Sequence, residues 1–191
     1  YMEERVGAVE QARQVFERWM RWEPKDSAWM AYVKFNMRQG DVVRARGILS
    51  RFVEAHPTSS AYLKYAKWEE KHGGSGDRST TRAVYERALQ CVHHDESTEE
   101  LMLAFARFEE KSEEIERARV IFKFALESLQ GQDAAAVLAA GDAKSEDAAA
   151  RLKKEYLAFE KRTGSKSTIE SAILVNRRAV YVAMVQKDQR S

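Results

Sequence analysis

Tyr62-x-x-Tyr65-x-x-Trp68-Glu69 sets large side chains at i, i+3 and i+6 and an acid directly after the last of them. On a helix those three positions form one stripe, so the segment reads as a helix with a single inward face. The pattern stands 33 residues earlier as Trp29-x-x-Tyr32-x-x-Phe35-Asn36. It returns 40 residues later as Met102-x-x-Phe105-x-x-Phe108-Glu109, and 51 beyond that as Lys153-x-x-Tyr156-x-x-Phe159-Glu160. Met2-Glu3, 33 residues before Phe35-Asn36, reads as the stub of the same element.

A second element interleaves with the first. Ala12-Arg13-Gln14-Val15-Phe16-Glu17-Arg18 matches Ala45-Arg46-Gly47-Ile48-Leu49-Ser50-Arg51 at an offset of 33. It recurs as Thr81-Arg82-Ala83-Val84-Tyr85-Glu86-Arg87 and as Ala118-Arg119-Val120-Ile121-Phe122-Lys123-Phe124. Each unit is expected to be a helix A, a short turn and a helix B. Such a hairpin cannot bury its apolar face alone, so neighbours must stack into a solenoid. The units run roughly over 1–24, 25–57, 58–95, 96–131 and 151–187.

The punctuation agrees with this division. Pro24 and Pro57, again 33 apart, stop a helix B. Asp26 or Ser27 is the expected N-cap of the next helix A, and Ser97 or Thr98 that of a later one. Gly40-Asp41 and the stretch from His72 to Asp77 are the expected A-to-B turns. From Gly131 to Ala150 the chain holds nine alanines and no large aromatic, which reads as an inserted loop with a weak helix, partly disordered. A last helix is expected from about Thr168 to Lys187. No strand pattern competes.

Of 191 residues, 44% are hydrophobic and 32% charged, and 32 Lys+Arg against 30 Asp+Glu leave a net charge of +2. That balance argues against a polybasic or acidic tail and against a strongly basic nucleic-acid domain. The lone Cys91 excludes an internal disulfide framework and reads as an ordinary helix residue. The longest apolar run, Ala134 to Ala140, is far short of the ~18 residues a membrane span requires. No secretory signal pattern is seen, and Tyr1 already reads as helix, so the chain is expected to be a piece of something longer.

The two motifs resemble the HAT (half-a-TPR) repeat, whose helix A carries aromatics and a following Glu and whose helix B carries Arg-x-Val/Ile-Tyr/Phe-Glu-Arg. The generic tetratricopeptide repeat needs small residues where this chain has Tyr65, Trp68, Phe105 and Phe108. Within the HAT class the chain is similar to the crooked-neck family of splicing proteins. The likeness is carried by the stretches 1–4, 12–20 with Trp22 and Pro24, 51–57, 64–72, 104–110 and 119–126. It departs at Gly73 to Gly76, across 131–150, and at Asn36, where the family favours Glu.

The resemblance implies an all-α, right-handed α-solenoid of stacked antiparallel HAT helix pairs. It implies a nuclear, non-catalytic scaffold that holds other splicing proteins in the spliceosome and the NineTeen-associated complex, with no cofactor and no membrane. RNA contact is secondary under this reading, and self-association is left open. A HAT scaffold in mRNA 3′-end or ribosomal RNA processing, or a direct RNA-binding solenoid, are the alternatives.

Candidate residues follow from the repeat. Trp29, Tyr32, Tyr65, Trp68, Phe105, Phe108 and Tyr156 are expected in the core. Glu69, Glu109 and Glu160 on helix A, and Arg13, Arg46, Arg82 and Arg119 on helix B, are the recurring ionic positions. Spacing suggests pairing inside each hairpin, Glu3 with Arg13, Glu69 with Arg82 and Glu109 with Arg119. The last unit breaks that rule, since Glu170 falls where an Arg would face Glu160.

Trp19 and Trp22 lie past the helix B motif and are candidate partner contacts, as are Arg177 and Arg178. A stacking platform for single-stranded RNA needs exposed aromatics among clustered cations, which near-neutrality disfavours. His93-His94 points to two helix faces and has no second pair to complete a metal site. Gly73-Gly74-Ser75-Gly76 and Gly164-Ser165-Lys166-Ser167 lack the strand and residue order of a phosphate loop and read as turns. No catalytic arrangement of Ser, Cys, His or Asp stands out.

Overall fold

The computed structural model describes residues 2–22, 24–74, 78–92, 97–139 and 143–174, with side chains within 7–128 and from 150 onward. Eight helices follow in order: α1 (Met2–Met20), α2 (Asp26–Arg38), α3 (Val42–Ala55), α4 (Ser59–His72), α5 (Ser79–Cys91), α6 (Thr98–Lys111), α7 (Ile115–Ala139) and α8 (Ala143–Thr163). A ninth, α9, occupies 166–174. No strand occurs among the described residues. The chain divides into two compact units, Tyr1–Thr98 and Glu99–Ser191.

In the first unit α2 packs on α3, α3 on α4, α4 on α5, and α1 on α2. These are helix pairs laid side by side, with α2 and α4 as A helices and α1, α3 and α5 as B helices. The stripe that defines helix A turns inward as its spacing requires: Trp29, Tyr32, Tyr62 and Tyr65 are buried. Helix B answers with Ile48, Leu49, Phe52 and Val53 from α3 and Val84, Tyr85 and Ala88 from α5. Phe52 meets Trp29 at 5.9 Å between ring centroids. In the second unit α7 packs on α8, and Phe122 contacts Tyr156 at 5.6 Å and Phe159 at 5.1 Å.

The A-to-B turns share one backbone requirement. Gly40 (φ 75°), Gly74 (φ 83°) and Glu113 (φ 64°) all adopt left-handed conformation. Glycine does so without a side-chain clash, whereas Glu113 is a strained substitute in the third turn. After its turn, α3 is capped by Asp41, whose side chain accepts from Arg44 N at 3.0 Å. Thr58 caps α4 through Ala61 N at 3.2 Å.

Three expectations are corrected. First, α1 is one unbroken helix, so Met2-Glu3 is not a separate helix A stub; the segment between holds only Gly7 as a breaker, too little to end a helix. Second, neither Asp26 nor Ser27 caps α2. The cap position is Lys25, without a side-chain bond, and both residues lie in the first turn, where the Asp26 charge favours the helix N-terminus. Third, the stretch from Gly131, read as a loop with a weak helix, is helix to Ala139 and again from Ala143. Alanine has the highest intrinsic helix propensity, so a segment poor in core residues still forms helix. The last helix begins at 166, in line with the expected start near Thr168; its expected course beyond 174 lies outside the described residues.

Candidate functional site

Basic side chains and carboxylates arrange themselves in three rows between helices. One row joins a helix B to the following helix A. Arg46 of α3 grips Glu69 of α4 with two bonds, Nε to Oε1 at 2.6 Å and Nη2 to Oε2 at 3.1 Å. Arg119 of α7 does the same to Glu160 of α8, at 2.7 and 3.3 Å, and also holds Glu116. Glu69 and Glu160 are 1% and 0% exposed, so each carboxylate depends on its arginine and on backbone geometry for solvation.

This corrects the pairing register. The partners come from successive repeats and not from one hairpin: Arg46 reaches forward to Glu69, and Arg119 reaches forward to Glu160. Spacing counts residues around a hairpin, whereas helix stacking brings the helix B of one repeat against the helix A of the next. The position of Glu170 therefore breaks nothing, because Glu160 already has Arg119. The Glu3 side chain lies outside the described residues, and Arg13 goes forward to Asn36 Oδ1 at 3.2 Å.

Asn36 holds the position of Glu69 and Glu160 in the other A helices; it is fully buried and carries no charge. Asp41 supplies it from the turn, accepting from Arg13 Nη2 at 3.1 Å. Asn36 Nδ2 meanwhile donates to the Tyr32 carbonyl at 3.0 Å.

A second row joins successive B helices. Arg51 of α3 donates to Glu17 of α1 at 3.0 Å, and Arg87 of α5 donates to Glu54 of α3 at 3.2 Å. The third joins successive A helices: Lys64 of α4 to Asp26 of α2 at 2.6 Å, Arg107 of α6 to Glu155 of α8 at 3.0 Å, and Arg162 of α8 to both oxygens of Glu110 of α6 at 3.0 and 3.1 Å.

The rows shift titrations in the expected directions. The Arg51 bond holds the Glu17 carboxyl below the usual range against the opposing effect of burial. Burial and the bond to Glu17 push the Tyr32 hydroxyl up to about 12. Burial pushes the Glu160 carboxyl up, but bonds from Arg119, Thr168 and Tyr156 outweigh it and leave it lowered. The bond to Glu69 raises Arg46.

Trp29, Tyr32, Tyr65, Phe105, Phe108 and Tyr156 lie buried, as do Glu69, Glu109 and Glu160. Trp68 is half-buried, with the Arg46 guanidinium 6.0 Å from its ring centroid. Arg82 is half-buried on α5. Trp19 and Trp22 are 47% and 85% exposed at the end of α1. Beside them a concavity of about 550 Å³ is lined by Glu10, Arg13, Arg18, Arg21, Tyr32 and Arg44, among others. Arg177 and Arg178, like His93 and His94, lie outside the described residues.

Sequence reading did not single out Arg18 and Arg21, although the offset of 33 that aligns Arg18 with Arg51 was available to mark the first of them. Among the described residues no group of three or more His, Cys, Asp or Glu gathers as a metal site. No helix there is long and apolar enough to cross a membrane.

Residues 22–141 match the family described as PRP39 C-terminal HAT repeat. The chain is 41% identical over 182 residues to the pre-mRNA-splicing factor CLF1 of Yarrowia lipolytica, covering 92% of this chain and 24% of that protein. Against the pre-mRNA-splicing factor clf-1 of Neurospora crassa it is 38% identical over 192 residues, covering 100% of this chain and 26% of that protein. The protein crooked neck of Drosophila melanogaster shares 41% identity over 94 residues, 49% of this chain and 11% of that protein. The chain thus spans about a quarter of the length of the two fungal relatives.

Proposed function

The chain belongs to the HAT-repeat family and is related to the crooked-neck splicing factors, and from that membership we propose that it is a non-catalytic scaffold of pre-mRNA splicing in the nucleus. Its repeats hold other proteins of the splicing machinery in place. The observation that carries this reading is how the ionic and aromatic groups are distributed. Arg46, Glu69, Arg119 and Glu160 are used internally, between repeats, while Arg18 and Trp19 at the end of α1 and Arg21 and Trp22 in the turn after it stand exposed. Tryptophan and arginine so displayed are the side chains that anchor protein interfaces.

Affinity purification from nuclear extract tests it. Recovery of core splicing proteins is the expected outcome. Recovery of cleavage-and-polyadenylation or ribosomal RNA processing factors alone would overturn the assignment to splicing.

RNA contact is secondary on this reading. A chain of net charge +2, in which Arg13, Arg44, Arg46, Arg51, Arg87, Arg107, Arg119 and Arg162 pair with carboxylates, offers little phosphate-neutralising surface. Filter binding at low salt is expected to retain no single-stranded RNA.

A further inference from the structure

Arg107 of α6 and Arg162 of α8 are each answered by a carboxylate of the other helix, Glu155 at 3.0 Å and Glu110 at 3.0 and 3.1 Å. The repeat register carries those four positions onto α2 and α4. Arg107 corresponds to Lys34 and Arg162 to Lys71, so both cations are kept. Glu155 corresponds to Lys64 and Glu110 to Met37, so both carboxylates are replaced. The seam between α2 and α4 thus repeats the cations of the α6–α8 seam without those two counterions.

Within α2 and α4 nothing restores the balance. Apart from buried Glu69, the two helices carry five cations, Lys34, Arg38, Lys64, Lys67 and Lys71, against two carboxylates, Asp26 and Glu70. Asp26 is taken by Lys64 at 2.6 Å, and Glu70 accepts from the Tyr85 hydroxyl at 2.8 Å. Lys34 and Arg38, and again Lys67 and Lys71, stand exposed at i and i+4 on the side of each helix opposite its buried stripe. That side faces away from both flanks along which repeats stack, so a neighbouring repeat adds no cover there.

We propose that the outward seam of α2 and α4 is a docking site for an acidic segment of a partner protein. Its carboxylates take the places beside Lys34 and Lys71 that Glu155 and Glu110 fill between α6 and α8. The paired cations of each helix lie one turn apart, about 6 Å along the axis, a spacing that glutamates at i and i+4 of an acidic helix reproduce. Charge selects the occupant, since a surplus of cations favours carboxylates over a neutral or basic segment. The outward positions are otherwise Ser27, Ala31 and Ser60, so no aromatic ring stands among the cations to stack a base, as a single-stranded RNA site requires. The inference rests on the scaffold reading above and adds the chemistry of one partner.

The probe is a fluorescein-labelled peptide with glutamates at i, i+3, i+4 and i+7, compared with the same peptide carrying glutamines. Fluorescence anisotropy on the full 191-residue chain is expected to give saturable binding of the glutamate form alone, weakening with added salt. The double substitution K34Q/K71Q is expected to weaken it about tenfold. M37E, which restores a carboxylate where α6 has Glu110, is expected to do the same by giving Lys71 an internal partner. K123Q/K154Q removes two exposed charges from α7 and α8 and is expected to leave binding unchanged. Circular dichroism establishes that each variant is folded, since exposed side chains contribute little to stability.

No saturable binding at low salt overturns the proposal, as does equal binding by K34Q/K71Q. Equal weakening by K123Q/K154Q overturns it too, because net charge and not the seam then governs. Retention of single-stranded RNA that K34Q/K71Q abolishes makes RNA the occupant and has the same effect. Recovery of the same splicing proteins from nuclear extract by K34Q/K71Q and by the parent chain would sink this site while leaving the scaffold reading intact. Recovery of none by the parent would sink the scaffold reading.

Discussion

Breaking the Arg46–Glu69 pair from the arginine side leaves a carboxylate that is 1% exposed without its counterion. Removing one partner of a fully buried pair costs about 3 to 5 kcal/mol; the part-exposed Arg46 reduces this to about 2 kcal/mol. In a double-mutant cycle of R46Q and E69Q, denaturant titration is expected to show coupling of about 1 to 2 kcal/mol; no coupling would mean the register has been misread.

Glu160 carries a pH prediction. Its folded pKa is depressed from the ordinary 4.5, so its contribution is fully present above that value and is lost as pH falls through the lower folded one. Thermal melts between pH 6 and about 2 should show Tm falling on the acid side, with E160Q lowering Tm near neutrality and flattening that fall. The recurring Glu and Arg positions were legible in the sequence from their repetition alone. Their partners were not, because an arginine with acids at several spacings is assigned only when helices are placed side by side.

Among elements, the turns and helix ends show what local chemistry can specify. Glu113 adopts φ 64°, where its counterparts in the two earlier turns are Gly40 and Gly74. Glycine there relieves the strain of a left-handed side chain, so E113G is expected to stabilise the protein by about 0.5 to 1 kcal/mol in urea titration. A Cβ on Gly73 would sit 2.6 Å from the Glu69 carbonyl oxygen, and one on Gly164 equally 2.6 Å from that of Glu160. G164A should therefore destabilise by more than about 1 kcal/mol, and a neutral result would show that the helix end can shift.

Strong breakers and the aromatic stripes made most helices legible, and Gly40-Asp41 was legible as the turn between α2 and α3. The segment after Gly131 was expected to hold only a weak helix within a loop because it lacks core residues, and helix covers more of it than that. Alanine needs no core to prefer helix. The missed continuity of α1 has a related cause: a motif match to Met2-Glu3 outweighed the lack of any break between it and Ala12.

At the scale of the whole molecule, near-neutrality acquires a cause in the three ionic rows, which match cations on one repeat with acids on another. Surface pairs of this kind contribute modestly, so high salt should lower Tm by only a few degrees, whereas R46Q should lower it by more. The sequence by itself determined that the protein is a repeat of helical hairpins, because apolar periodicity and a 33-residue offset are properties of the chain as written. It determined which side chains recur and therefore which are structural. Only the tertiary structure decided which repeat Arg46 and Arg119 serve and how Asp41 replaces the charge missing at Asn36. Those outcomes depend on neighbours brought together by stacking, and separation along a chain does not measure distance between packed helices.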